Sequence, residues 1–234
     1  MSTTSLIIGG TKGIGSVIAD SLRKRGDRVF TLSREERKNK NHIKCDITSE
    51  SNKILSFVDE VDYLIFSQRY RGTDWDETFD VTIKGIHNVV THVEPVFSSN
   101  ASVVILSSNA SSFVLEEQPV VYHASRSALL GLMKSYAVQY GKKNIRFNCI
   151  SPASLIKPEN EQFYAANSNI KKMIQDITPL GRMGDSKDVA NLVEFLCSEK
   201  SSFITGNDFF VDGGLSIVGQ ETIARNLLDL KHKK

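Results

Sequence analysis

The chain alternates between short runs of β-branched and aliphatic residues and longer stretches in which apolar positions recur every three or four residues. Seven runs predict strands, at 5–8, 28–32, 42–45, 63–66, 102–106, 145–150 and 208–211. Between them, 14–25, 81–97, 125–140 and 186–198 predict amphipathic helices. The third of these carries Ala128, Leu129, Leu132, Met133, Tyr136 and Ala137 at spacings that bury one stripe of a helix. Strand–helix alternation along the whole chain predicts an α/β protein with a doubly wound parallel sheet and helices on both faces. Residues 154–178 are polar, interrupted by Pro158-Glu159-Asn160, and break the rhythm. They predict a mobile excursion covering a site. No internal repeat or linker-like shift divides the chain, so 1–234 is expected to be one domain.

Composition narrows the partners. The 29 Lys and Arg against 27 Asp and Glu give a formal charge of +2, too small to argue for nucleic acid or a membrane surface. No apolar run approaches the ~20 residues of a membrane span, and the N-terminus has no secretory pattern. Three scattered cysteines, Cys45, Cys149 and Cys197, offer neither a disulfide framework nor metal-ligand spacing, and fit the reducing cytoplasm. His87 and His92 share a predicted helix but point ~140° apart at 3.6 residues per turn, which does not suit one metal ion. The clustered cations at 34–40 and in the tail Lys231-His232-Lys233-Lys234 read as solvated surface.

The first chemical signal is Leu6-Ile7-Ile8-Gly9-Gly10-Thr11-Lys12-Gly13-Ile14-Gly15, a strand entering a glycine-rich turn and then a helix. Gly9 permits the turn, Gly13 lets a backbone approach a pyrophosphate, and Gly15 allows helix to pack on strand. The helix N-terminus supplies unpaired N–H groups to the anion.

This spacing resembles that of the short-chain dehydrogenase/reductase family, and the resemblance runs through nearly the whole chain. Cys45-Asp46-Ile47-Thr48 resembles the aspartate segment after the third strand, and Ser107-Ser108 stands where the family keeps its active-site serine. Tyr122-His123-Ala124-Ser125-Arg126 occupies the place of Tyr-x-x-x-Lys. Asn144 to Pro152, Pro179-Leu180-Gly181-Arg182-Met183-Gly184, Ile204-Thr205-Gly206 and Val211-Asp212-Gly213-Gly214 follow in the family's order. The resemblance implies a Rossmann-type seven-stranded sheet and a nicotinamide cofactor touching Gly9, Thr11, Lys12, Gly13, Ile14, Gly15, Ser33, Arg34, Asp46, Ile47, Ser67, Tyr122, Arg126, Pro152 and Leu155. It also implies a homodimer or homotetramer assembled through the helices at 81–97 and 125–140. The second strand ends Thr31-Leu32-Ser33-Arg34, without the acid that accepts a ribose 2′-hydroxyl. Ser33, Arg34 and Lys12 there favour a 2′-phosphate, hence NADP(H) over NAD(H).

In such enzymes the tyrosine protonates a carbonyl oxygen as hydride arrives, the serine orients that oxygen, the lysine binds ribose and activates the tyrosine, and an asparagine anchors a water. The expected catalytic set is therefore Tyr122, Ser108, Arg126 and Thr82, with four departures. Arg126 replaces lysine and gives a fixed charge that does not relay protons. Thr82, ending Asp80-Val81-Thr82, replaces the asparagine. Ser67-Gln68-Arg69, followed by Tyr70-Arg71, replaces a small turn, and Pro152-Ala153 with Lys157 replaces Pro-Gly and a threonine. Ser108 precedes Tyr122 by fourteen residues, one more than is common. Gln68, Arg69, Arg71, Asn109 and Lys157 become the expected substrate-facing residues, and their charge favours a small polar, anionic or sugar-like substrate. Three readings stay open: a carbonyl–alcohol oxidoreductase, a protein that binds NADP(H) without turnover, or cofactor-assisted chemistry with no net redox change, such as epimerisation through a transient ketone. Retention of both Tyr122 and Ser108 favours the oxidoreductase.

Overall fold

The computed structural model describes residues 3–228 and 230, and the basic tail with His232 lies outside them. Chain order is β1 (Thr4–Ile8), α1 (Gly13–Arg25), β2 (Arg28–Ser33), β3 (His42–Lys44), β4 (Val61–Phe66), α2 (Trp75–Phe79), a π-helical turn (Asp80–Lys84), α3 (Gly85–Val93), β5 (Phe97–Leu106) and α4 (Val120–Gly141). There follow β6 (Arg146–Pro152), β7 (Leu155–Ile156), α5 (Glu161–Ala166), α6 (Ser168–Ile177), β8 (Gly184–Asp185), α7 (Ser186–Leu196), β9 (Asp208–Val211) and α8 (Gln220–Leu227). Seven strands form one sheet in the order β3-β2-β1-β4-β5-β6-β9, all parallel.

The period of two along each strand builds two cores. Leu6, Ile8, Phe30, Leu32, Leu64, Phe66, Val103, Ile105 and Phe147 face α3 and α4, where Ile86, Val89, Val90, Leu129, Met133 and Tyr136 meet them. Ile7, Val29, Ile65, Val104 and Ile150 face the other way, onto Ile18, Ala19 and Leu22 of α1 and Val189, Ala190, Val193 and Leu196 of α7. Strands covered on both faces read as continuous apolar runs, which is why β1, β4 and β5 stand out in the sequence. Gly26 ends α1 in the left-handed conformation (φ 105°), its N–H reaching the carbonyls of Leu22 and Arg23.

The chain leaves β1 toward β2 and β3, then returns to place β4 on the other side of β1. That reversal opens a crevice at the carboxyl ends of β1 and β4, the place where doubly wound sheets take ligands. Three boundaries differ from the sequence expectation. The helix expected from 81 to 97 begins at Trp75, widens into the π turn at Thr82 and stops before Phe97, which opens β5. α4 starts at Val120, where Pro119 precedes the first turn, so Tyr122 lies inside the helix. Residues 154–178 hold β7, α5 and α6, two helices without a buried residue. None of the described helices is long and apolar enough to cross a membrane.

Candidate active site

One cleft runs along the carboxyl ends of the central strands. Its phosphate end is built by what the glycines leave out. A Cβ on Gly9 (φ 79°) would stand 2.7 Å from the Gln68 nitrogen, because β1 and β4 run side by side into their turns. A Cβ on Gly15 would stand 2.4 Å from the Gly9 carbonyl oxygen. Neither position accepts a side chain without moving backbone, so the loop has the close approach a pyrophosphate needs. Gly9, Lys12, Gly13 and Ile14 line the cleft. Thr11 is not part of its wall, and Gly15 acts by packing α1 against the turn.

Next along the wall stand Leu32, Ser33, Arg34, Cys45, Asp46 and Ile47. Asp46 Oδ1 accepts from the Thr48 N–H (2.9 Å) and hydroxyl (2.8 Å), fixing the carboxylate at the end of β3. Burial pushes the Cys45 thiol up to about 11, so it serves as an apolar wall and not as a nucleophile. Lys12 departs from expectation. Its Nζ pairs with Glu35 Oε1 at 2.7 Å, and the same carboxylate pairs with Arg37. The acid missing from the end of β2 thus returns two residues later. Arg34 has no ion pair among the described residues.

The tyrosine end is organised by charge. Tyr122 and Arg126 lie one turn apart on α4, and the Arg126 guanidinium carbon is 4.9 Å from the Tyr122 ring centroid. Arg69, from the turn after β4, approaches the same ring at 5.8 Å. Arg126 is buried, and its Nε has no hydrogen-bond partner among the described residues. Burial lowers its pKa first of all, Tyr122 opposes that shift and Arg69 adds to it. Lys157 lines the same end, its pKa lowered by burial and then by Arg69. Arg71 also lines the cleft; like Arg69 it is exposed, and it reaches Glu159 at 3.7 Å.

Ser108 closes β5 and caps the short turn that follows, its Oγ accepting from the Ala110 N–H at 3.2 Å. His123 sets its two ring nitrogens 3.1 Å from the carbonyls of Ala110 and Leu115, and so ties α4 to the loop that carries Ser108. Thr82 is buried in the π turn against α4, and its hydroxyl has no partner among the described residues. There the Gly85 N–H reaches back five residues to the Asp80 carbonyl. Such widened turns concentrate at functional sites.

Most of the residues singled out in the sequence meet in this cleft, including Ser67, Gln68 and Pro152. Two do not. Leu155 turns into the apolar core beside α7, its Cδ2 against Gly184. Asn109 lines an adjoining groove, which shares Ala153 with the cleft, together with Thr178, Leu180 and Phe210. His87 and His92 bond apart, to Tyr136 (2.8 Å) and to Ser51 (2.9 Å). Sequence reasoning gives no role to Ser107, whose hydroxyl donates to the Arg126 carbonyl (3.3 Å), or to Glu35 and Glu159. For Glu159 the only signal is the Pro158-Glu159-Asn160 break.

The cleft fits a nicotinamide dinucleotide on its own features: a cradle that a Cβ would fill at one end, and an unpartnered buried guanidinium nitrogen at the other. The family model for enoyl-(acyl carrier protein) reductase matches residues 67–216, well over half of the chain. The chain belongs to the short-chain dehydrogenase/reductase family. Among its short-chain relatives, a tropinone reductase homolog of Arabidopsis thaliana is 28% identical over 92% of this chain and 91% of that one. The 3-oxoacyl-(acyl-carrier-protein) reductase FabG of Aquifex aeolicus is 28% identical over 90% and 96%. The solved aldohexose dehydrogenase of Thermoplasma acidophilum superposes with a TM-score of 0.83 at 26% identity, covering 94% of this chain and 96% of that one. The doubly wound sheet is the family's fold, and oxidoreduction with a nicotinamide cofactor is the family's chemistry.

Proposed function

We propose that this short-chain dehydrogenase/reductase uses NADP(H) to interconvert a carbonyl and a secondary alcohol on a small polar substrate that is anionic or sugar-like. The observation that carries the reading is the pair of guanidinium groups at the Tyr122 ring, Arg126 at 4.9 Å and Arg69 at 5.8 Å from its centroid. Gly9, Gly13, Asp46 and Ile47 would hold the dinucleotide, with Arg34 and Ser33 at its adenosine ribose and Arg126 at the ribose of the nicotinamide. The bound cofactor supplies or accepts a hydride. In the reducing direction Tyr122 gives its hydroxyl proton to the carbonyl oxygen, while Ser108 donates a hydrogen bond to that oxygen. Arg126 and Arg69 put positive charge where Tyr122 becomes negative. Thr82 holds its hydroxyl on the path by which Tyr122 is reprotonated. Arg69 and Lys157 supply the cations that an anionic substrate would meet, with Gln68 beside them.

Residues 1–234 are read as one unit with a substrate lid at 154–178, working as a homodimer or homotetramer through α3 and α4. Three free, buried cysteines support a cytoplasmic setting. A second reading, cofactor binding without turnover, draws on Arg126 and Thr82 standing where a proton-relaying lysine and an amide are usual. One experiment separates the two. NADPH and NADH consumption is followed across a panel of keto acids and keto-sugars, beside the dissociation constant of each cofactor. The expected result is turnover that prefers NADPH and falls about 10²–10⁴-fold in Tyr122→Phe with cofactor affinity kept. Tight binding with no turnover on any member gives the second reading.

A further inference from the structure

The loop after β7 brings a carboxylate against the first residue of α1. A Cβ built on Gly13 would stand 2.6 Å from Glu159 Oε1 and 3.1 Å from Oε2. Gly13 opens the thirteen-residue α1, so both oxygens lie against its N-terminus. The first turn of α1 has no acid of its own, and Lys12 gives it no side-chain cap. Arg71 approaches the same oxygen at 3.7 Å.

This placement is built into the loop. Asn160 Oδ1 accepts from the Lys157 N–H (2.6 Å), its Nδ2 donates to the Leu155 carbonyl (3.0 Å), and its own N–H donates to the Lys157 carbonyl (3.0 Å). Pro158 fixes φ between them. The result is a closed turn that projects Glu159 toward Gly13. The same cleft contains the buried Arg126 with its Nε unpartnered among the described residues, so it is shaped for a polar ligand at one end while Glu159 stands at the other.

We infer that Glu159 is an internal counter-anion of the dinucleotide site, whose carboxylate holds the α1 N-terminus and Arg71 until the incoming pyrophosphate takes both over. The inference rests on the nucleotide reading of the cleft. A carboxylate packed against Gly13 and a pyrophosphate at the same helix N-terminus repel each other and compete for its positive end. Cofactor binding is therefore an exchange of anions, and Glu159 sets how tightly the dinucleotide is held and how readily it leaves. Glu35 on Lys12 makes a parallel arrangement at the ribose end.

The test uses the full chain as wild type, Glu159→Gln, Arg71→Gln and the double variant, with melting temperatures recorded for each. NADPH affinity is titrated by its fluorescence, and inorganic pyrophosphate is added as competitor. Glu159→Gln is expected to bind NADPH about 3–10-fold tighter and to be more sensitive to pyrophosphate. Arg71→Gln is expected to weaken binding more when combined with Glu159→Gln than alone, because Arg71 then has no competing carboxylate partner at that position. A folded Glu159→Gln that binds NADPH equally or more weakly overturns the inference and leaves the nucleotide reading standing. If neither wild type nor Glu159→Gln binds NADPH or NADH, the nucleotide reading fails and this inference fails with it.

Discussion

The two ends of the cleft are specified by different physics. At the phosphate end the determinant is volume: Gly9 and Gly15 leave room for nothing larger, and the nearest atoms a side chain would strike are backbone. At the tyrosine end it is charge. Arg126 presents a cation to the Tyr122 ring, and Arg69 adds a second from another segment. A steric requirement allows one residue type, whereas an electrostatic requirement can be met by another residue or from another segment. Substitution should therefore be catastrophic at the first end and graded at the second.

The largest effect is expected at Gly15. In Gly15→Ala the new methyl meets the Gly9 carbonyl at 2.4 Å and the Ser67 hydroxyl at 3.0 Å. The β1–α1 turn has to open to admit it. Urea unfolding should show a loss of about 3 kcal/mol, the upper range for a group forced into a packed site, with NADPH binding lost in parallel. An alanine tolerated at below about 1 kcal/mol would break the volume half of the comparison.

Arg126 tests the charge half. Arg126→Met keeps length and burial but removes the cation, and kcat/KM on a turned-over substrate should fall by about 10²-fold or more. Arg126→Lys should retain much more, because an ammonium supplies the same sign of charge from the same turn of α4. Equal losses in the two variants would mean that the guanidinium fork, and not its charge, is the requirement. The readout is the split between kcat and KM, since lost packing alone would also lower stability.

Legibility in the sequence follows the same division. The strands are readable because β1, β4 and β5 are apolar on both faces, and the glycine loop because its constraint falls on residue type. The widened turn at Thr82 is not readable. It depends on Gly85 bonding five residues back, and Gly85 is needed there because a Cβ would stand 2.7 Å from Ile47, a residue far away in sequence. The early start of α4 escapes the pattern because Val120 is exposed and adds nothing to the apolar stripe. The ion pairs of Glu35 and Glu159 are hidden for a similar reason. Charged surface residues carry no periodic signal, and only folding shows which cation each one meets. The family resemblance implies Leu155 at the cofactor, but β7 turns that side chain into the α7 core.

The smallest expected effect lies outside both ends and checks that the comparison concerns the cleft alone. Asp188 and Asp185 form a reciprocal cap at the start of α7, and Arg182 holds Asp188 through two hydrogen bonds of 2.7 and 2.8 Å. Those Arg182 bonds, aided by the Asp185 N–H and opposed by burial, keep the Asp188 carboxyl below its ordinary 3.8. Since the folded value lies below the unfolded one, the stabilisation is complete above about pH 4 and disappears as pH falls through the folded value. Asp188→Asn should cost about 1 kcal/mol at neutral pH, the usual worth of a cap, and the gap from wild type should close in acid. β8 pairs with β7, which leads into the turn carrying Glu159, yet neither strand contributes a residue to the cleft wall. Stability should therefore move while NADPH affinity does not. A change in affinity beyond about 2-fold, equivalent to roughly 0.4 kcal/mol, would show that the cap at α7 helps to hold Glu159 in place, and the determinants of the phosphate end would then reach beyond the cleft wall.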